Sequence, residues 1–212
     1  MTGVALMAAG AGAGLRIAVL HRRLRALEQQ VIRDPLTGAF NHRHMHVTLA
    51  AAIERRGRFS ERASLLVIDV DRFKEINDVL GHAEGDRVLR DMVALIGQRL
   101  RTLDALFRAG GDEFVVLLPA TRFVDALSLA EDLRGLVQAA GLIPGRPLSI
   151  SAGVVELTYG QTVRDWLAEA DAALYRAKRG GRNRVAGRFG APPHHVEEPG
   201  SRLPFPVRTS SR

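Results

Sequence analysis

The 212-residue chain contains no cysteine, which excludes disulfides and thiolate metal sites and suits a reducing compartment. Lysine is nearly absent as well. Of 30 basic residues only Lys74 and Lys178 are lysines, and the rest are arginine. The bias says little about binding by itself, but it makes the two retained lysines worth following. No base-reading motif accompanies the formal net charge of +7. Much of the excess sits in His21–Arg25 and beyond Lys178, so a basic flank is expected and a nucleic-acid partner is not. The arginines at 22, 23 and 25 follow the apolar opening instead of preceding it, which argues against a secretory signal.

Residues 1–20 are rich in Gly and Ala and interrupted by Arg16. Their length and basic flank read as a membrane anchor on the cytoplasmic side, and their weak hydrophobicity reads equally as a loose N-terminus. Leu20, Leu24, Leu27 and Val31 recur at steps of four, three and four. Residues 20–33 therefore form a helical stalk, either a short coiled coil or a simple amphipathic helix. Residues 34–187 carry the apolar content needed for one folded domain, and from about 188 the composition turns to Pro, Gly, Arg and His, as in a disordered tail.

Within the domain, Asp34-Pro35-Leu36-Thr37-Gly38 is a turn cluster, after which Asn41 caps a helix to about Arg56. Leu65–Val70 reads as a fully buried strand, yet Asp69 stands near its end and Asp71 just beyond. A carboxylate there needs a partner, either a metal ion or an arginine. Phe73–Asp78 forms a short helix, and a glycine-flanked loop leads to a long helix from about Asp86 to Leu100. Asn77 and Asp86 offer the groups that read a guanine edge, although Asp86 is also well placed as a helix N-cap. The stretch Arg108–Pro119 reads as a hairpin whose turn holds Gly110 and Gly111, then Asp112 and Glu113. Glycines there permit positive φ and let a ligand reach the backbone, while paired acids suit a hard cation; a solvated turn would look the same. Helices follow over Asp125–Ala140 and Val163–Arg179, with a strand over Leu148–Val155 between them. The resulting βαββαβ core is an α+β, ferredoxin-like, palm-like fold: an antiparallel sheet backed by helices, with Asp69 and Asp112 as neighbours at one edge.

These motifs together resemble the GGDEF-domain diguanylate cyclases. The resemblance spans about residues 31–187 and rests on Asp34–Gly38, Asp69–Asp78, Gly81-His82, Gly85-Asp86, Gly110–Phe114 and Ala170–Asn183. It implies that two GTP molecules are joined into cyclic di-GMP with release of pyrophosphate. It assigns Mg²⁺ (or Mn²⁺) to Asp69, the carbonyl of Val70 and Asp112, with Glu113 either a further ligand or an aid to deprotonation. It gives guanine to Asn77 and Asp86, with Leu36 and His82 nearby. Phosphates go to the backbone at Phe73 and Lys74 and to the charges of Lys74, Lys178 and Arg182. Asp112, Glu113 and Lys74 form the implied catalytic set, with Gly110 and Gly111 lining the substrate site. Arg101 and Asp104 match the family's RxxD product-inhibition site, although Asp132 stands where some members place a further arginine. Two facing GTP molecules imply a homodimer, for which the stalk is the candidate device. No phosphodiesterase or conventional sensor domain is expected, and the catalytic domain belongs in the cytoplasm, free or held at the inner face of the membrane. The alternative is an inactive cyclic di-GMP receptor working through Arg101 and Asp104.

Overall fold

The computed structural model describes residues 32–188, so the expected anchor, the Leu20–Val31 stalk and the tail lie outside the described residues. In chain order the elements are β1 (Phe40–Asn41), α1 (His42–Phe59), β2 (Ala63–Val70), α2 (Phe73–Leu80), α3 (His82–Gly97), β3 (Ala105–Arg108), β4 (Glu113–Pro119), α4 (Phe123–Ala139), β5 (Ile150–Glu156), α5 (Val163–Arg179) and β6 (Val185–Arg188). The sheet runs β1-β3-β4-β2-β5-β6. Its four central strands pair antiparallel, as the sequence predicts, and each edge gains a short parallel strand.

Helices cover both faces, and this explains the composition of the central strands. Leu66, Ile68 and Val70 of β2 face the cluster built by Val88, Leu89 and Met92 of α3 and Leu133 of α4. Leu65 and Val67 face the other cluster, with Met45 and Leu49 of α1 and Trp166 of α5. A strand buried on both faces has no reason to alternate in polarity. All eight residues of β2 and all seven of β5 are buried, so the alternation expected for β5 does not translate into one wet face.

Local signals set the helix ends. The Asn41 side chain accepts from His44 N–H at 2.9 Å and caps α1 as expected, although the helix continues to Phe59. Thr162 and Asp165 cap α5 reciprocally, and its last turn carries Arg176, Lys178 and Arg179, favourable beside the negative helix end. One expectation fails. Helix α3 starts at His82 behind Gly81, so Asp86 lies inside the helix and does not cap it.

Gly153, in the middle of β5, lets α5 lie directly on the sheet. A Cβ there would collide with the backbone at Ala170 and Leu174. Neither helix backbone can yield like a side-chain tip, so Gly153→Ala is expected to destabilise the domain by about 3 kcal/mol. That corresponds to a fall in melting temperature of about 6–12 °C, measurable by calorimetry.

Candidate active site

The β3–β4 turn carries Gly110, Gly111 and Asp112 and is held from two directions. From the sheet, Val70 N–H donates to the Asp112 carbonyl at 3.3 Å. From the side, the Arg108 guanidinium donates to the carbonyls of Gly110 (3.1 Å) and Gly111 (2.7 Å), and its other arm reaches Asp34 at 3.0 Å. Asp34 in turn accepts from Thr37 N–H and Oγ1 at 2.8 and 2.7 Å. The Asp34–Gly38 cluster is thus a brace for the turn as well as a chain reversal. Neither Gly110 nor Gly111 has positive φ, which corrects the expectation drawn from the sequence. Their contribution is the missing side chain: a Cβ on Gly111 would meet nothing, and one on Gly110 would press against the Glu113 carboxylate at 3.3 Å. The open backbone, not its torsion, is what glycine supplies here.

Asp69 pairs in register with Glu113 across the β2–β4 ladder, so three carboxylates gather where β2 ends. Asp69 is buried, and the side chain that pairs with it is a lysine, not the arginine considered from the sequence. Lys178, from the last turn of α5, places its Nζ 2.6 Å from Asp69 Oδ2. Burial pushes the Asp69 pKa up; the hydrogen bond and charge of Lys178 oppose this, and the charges of Asp112 and Glu113 push it up further, leaving it above the ordinary 3.8. Among the described residues no three acidic or histidine side chains stand at metal-ligand spacing. The donor chemistry nonetheless fits a divalent cation. Three carboxylates and one ammonium leave negative charge in excess, and all the donors are hard oxygens.

Beside the acids, α2 begins at Phe73 and Lys74 behind Arg72, a residue with left-handed backbone (φ 56°). The leading N–H groups of a helix lack intrahelical acceptors and attract anions. Lys74 is exposed and makes no ion pair among the described residues. Asn77 of α2 lies against α3 at Gly85, where a Cβ would collide with the Asn77 side chain. Gly85 therefore allows Asn77 to sit next to Asp86, a role that the motif alone does not reveal. His82 opens α3 and is exposed, and Leu36 is half-buried against the core. Arg182, just beyond α5, is exposed with φ 62°.

Arg101 and Asp104 form a separate feature. Asp104 accepts from the backbone N–H of Arg101 at 2.8 Å, which closes a turn and leaves the guanidinium exposed. Both residues line a cavity of about 320 Å³ together with Arg99, Asp125 and Asp132. Arg99 and Asp125 are partners that a four-residue pattern does not reveal, because they come from flanking segments.

A family model described as diguanylate cyclase, GGDEF domain, matches residues 31–184. Among curated relatives, diguanylate cyclase DgcP of Pseudomonas aeruginosa is 41% identical over 168 residues, 78% of this chain and 25% of that protein. Diguanylate cyclase DgcM of Escherichia coli K12 is 41% identical over 161 residues, 75% of this chain and 39% of that protein. The chain thus spans well under half the length of these relatives. Among solved structures, the coiled coil and GGDEF domain of DgcB from Caulobacter crescentus, in complex with c-di-GMP, is similar with a TM-score of 0.79. That similarity is at 28% identity and covers 86% of this chain and 99% of that one. Diguanylate cyclase SiaD from Pseudomonas aeruginosa, solved with its activator SiaC, gives a TM-score of 0.73 at 37% identity, covering 88% and 73%.

The Asp34 brace has a pH signature. Burial alone would raise its pKa, but the hydrogen bonds from Thr37 and Arg108 outweigh it and hold the carboxyl below 3.8. A depressed folded-state pKa contributes stability that is complete above the unfolded value and lost as pH falls through the folded value. Asp34→Asn is expected to cost about 1–3 kcal/mol at neutral pH. In denaturant titrations the gap to wild type should close as the pH is taken below the ordinary carboxylate range.

Proposed function

The chain belongs to the GGDEF diguanylate cyclase family, and on that footing we propose that it condenses two GTP molecules into cyclic di-GMP, releasing two pyrophosphates. The observation that carries this reading is the meeting of Asp69, Asp112 and Glu113 at one end of the sheet with Lys178 among them. That end also holds a turn whose two glycines carry no side chains of their own, and the leading amides of α2. Such an arrangement suits a triphosphate: acids to share a cation with it, and amides and ammonium groups to hold its oxygens.

Asp69, the Val70 carbonyl and Asp112 would hold Mg²⁺ or Mn²⁺, with Glu113 beside them. When bound, the cation would lower the pKa of the attacking 3′-hydroxyl and offset charge at the α-phosphate. Asn77 and Asp86 would receive the guanine edge, an assignment supported by the close approach at Gly85. Lys74 and Arg182 would meet the phosphates, and Lys178 would turn to them from Asp69. One domain holds one GTP, so the active species would be a homodimer.

A second reading rests on the cavity at Arg101 and Asp104, whose exposed guanidinium and carboxylates suit a guanine base. It would act in product inhibition, or as the sole function of an inactive receptor. Arg99 lines the same cavity, as does Asp132, which stands where some relatives are expected to supply arginine.

Incubation of the protein with GTP and Mg²⁺ should yield cyclic di-GMP and pyrophosphate by chromatography. Asp112→Ala or Glu113→Ala should cut turnover by about 100-fold or more without unfolding the domain, since neither side chain is in the core. Retained turnover would overturn the site assignment. Lys178 gives a readout independent of turnover. Lys178→Met strips Asp69 of its cation, so Mn²⁺ should bind the nucleotide-free variant more tightly than wild type while GTP binds less tightly. Calorimetric titration would measure both.

A further inference from the structure

Asp71 is a buried carboxylate that the reaction as described does not use. Its backbone N–H donates to the Ser149 carbonyl at 3.0 Å, which ties the chain just after β2 to the approach to β5. Its carboxylate then accepts three hydrogen bonds from two further directions. Ser149 Oγ donates at 2.7 Å, Ser151 Oγ at 2.7 Å, and the backbone N–H of Asn183 at 2.9 Å. The last of these matters most. Asn183 belongs to the short segment between α5 and β6, 112 residues away in sequence, and follows directly on Arg182.

That segment needs holding. Arg182 and Asn183 have φ of 62° and 47°, two consecutive non-glycine residues in left-handed conformation. Asparagine tolerates this region, but arginine rarely enters it, and such outliers persist only where surrounding structure imposes them. The Arg182 side chain makes no ion pair among the described residues and stands in solvent, so no side-chain contact accounts for its backbone. The constraints are its own backbone bonds, with Arg182 N–H donating to the Ala177 carbonyl at 3.2 Å and the Arg182 carbonyl accepting from Arg184 Nε at 3.1 Å, and those of its neighbours: Asn183 N–H on Asp71, Asn183 Oδ1 on Arg134 at 3.0 Å, and the Arg184 carbonyl on Ala152 N–H at 3.0 Å. Of these, only the Asp71 bond reaches back to the strand that ends in Asp69. It links Arg182 to the acidic edge through two residues of β2's own continuation.

We propose that Asp71 is a positioning residue: by accepting the Asn183 N–H from the end of β2, it sets Arg182 at a fixed reach from the acidic edge, so that the guanidinium is pre-aimed at the distal phosphates of the nucleotide. The inference rests on the cyclase reading for what Arg182 touches, and on hydrogen-bond geometry alone for how Arg182 is held. Its partners Ser149 and Ser151 lock the Asp71 carboxylate so that it cannot swing away. Three donors converge on two oxygens, so an amide cannot replace the carboxylate without turning an N–H₂ group toward one of them.

The test is a double-mutant cycle between Asp71→Ala and Arg182→Ala, read as kcat, KM for GTP, and GTP affinity by equilibrium dialysis. Asp71→Ala should raise KM and weaken GTP binding about tenfold, near the loss in Arg182→Ala itself, with kcat changed far less. In the Arg182→Ala background, Asp71→Ala should add little, because both changes remove one function. Asp71→Asn should fall between, since its oxygen can keep the Asn183 bond, and it carries the same cycle should Asp71→Ala not fold. Additive losses in the cycle, or unchanged KM and affinity in the folded variants, would overturn the inference. Absence of product from the wild-type chain would overturn the cyclase reading separately, leaving the GTP affinities to decide on Asp71.

Discussion

Asp69, a buried carboxylate at the end of a strand buried on both faces, takes its positive partner from Lys178. Much of the architecture serves that pairing. Helix α5 has to lie close enough to the sheet for its last turn to reach the end of β2, which Gly153 permits and Trp166, Ala170 and Leu174 secure by filling the space beneath. The helix ends at Arg179, just after the lysine has been delivered. Asp69 nevertheless keeps a raised pKa, because burial and two neighbouring acids outweigh one ammonium. The edge is poised to take more positive charge, the property expected of a site that receives a nucleotide with its cation.

The loops around that edge are held by anchors that do not themselves face a ligand. Arg108 and Asp34 clamp the carbonyls of the glycine turn from one side. Asp71 clamps the segment carrying Arg182 from the other. Both anchors are charged groups making several hydrogen bonds, Arg108 as donor and Asp34 and Asp71 as acceptors, the interactions that best resist the flexibility of short loops. A turn built on two glycines needs such bracing, because they supply no side chains to pack with.

The family's chemistry belongs to the domain in residues 31–184. In DgcP and DgcM the matched region is a minor share of the protein. The cavity at Arg101 and Asp104 lies inside that domain, and two arginines and three aspartates contribute to its lining.

The order of the four core strands and their helices, the buried character of β2, the helix cap at Asn41 and the acids meeting at one edge were legible in the residues, whereas the short edge strands β1 and β6 were not. They follow from local periodicity, turn chemistry and the cost of burying charge, which act over a few positions. Other features were not legible. The start of α3 was misjudged because Asp86 satisfies a capping pattern that Gly81 and tertiary packing override. The torsions of Gly110 and Gly111 were misjudged because glycine permits positive φ without requiring it. The partner of Asp69, the brace of Arg108 on Asp34 and the hold of Asp71 on Asn183 join residues 74 to 112 positions apart. The chain by itself thus determined which groups are available and which of them could not stand alone. Only the folded sheet decided which pairs meet, because strand register and helix docking, not sequence spacing, set the distances between them.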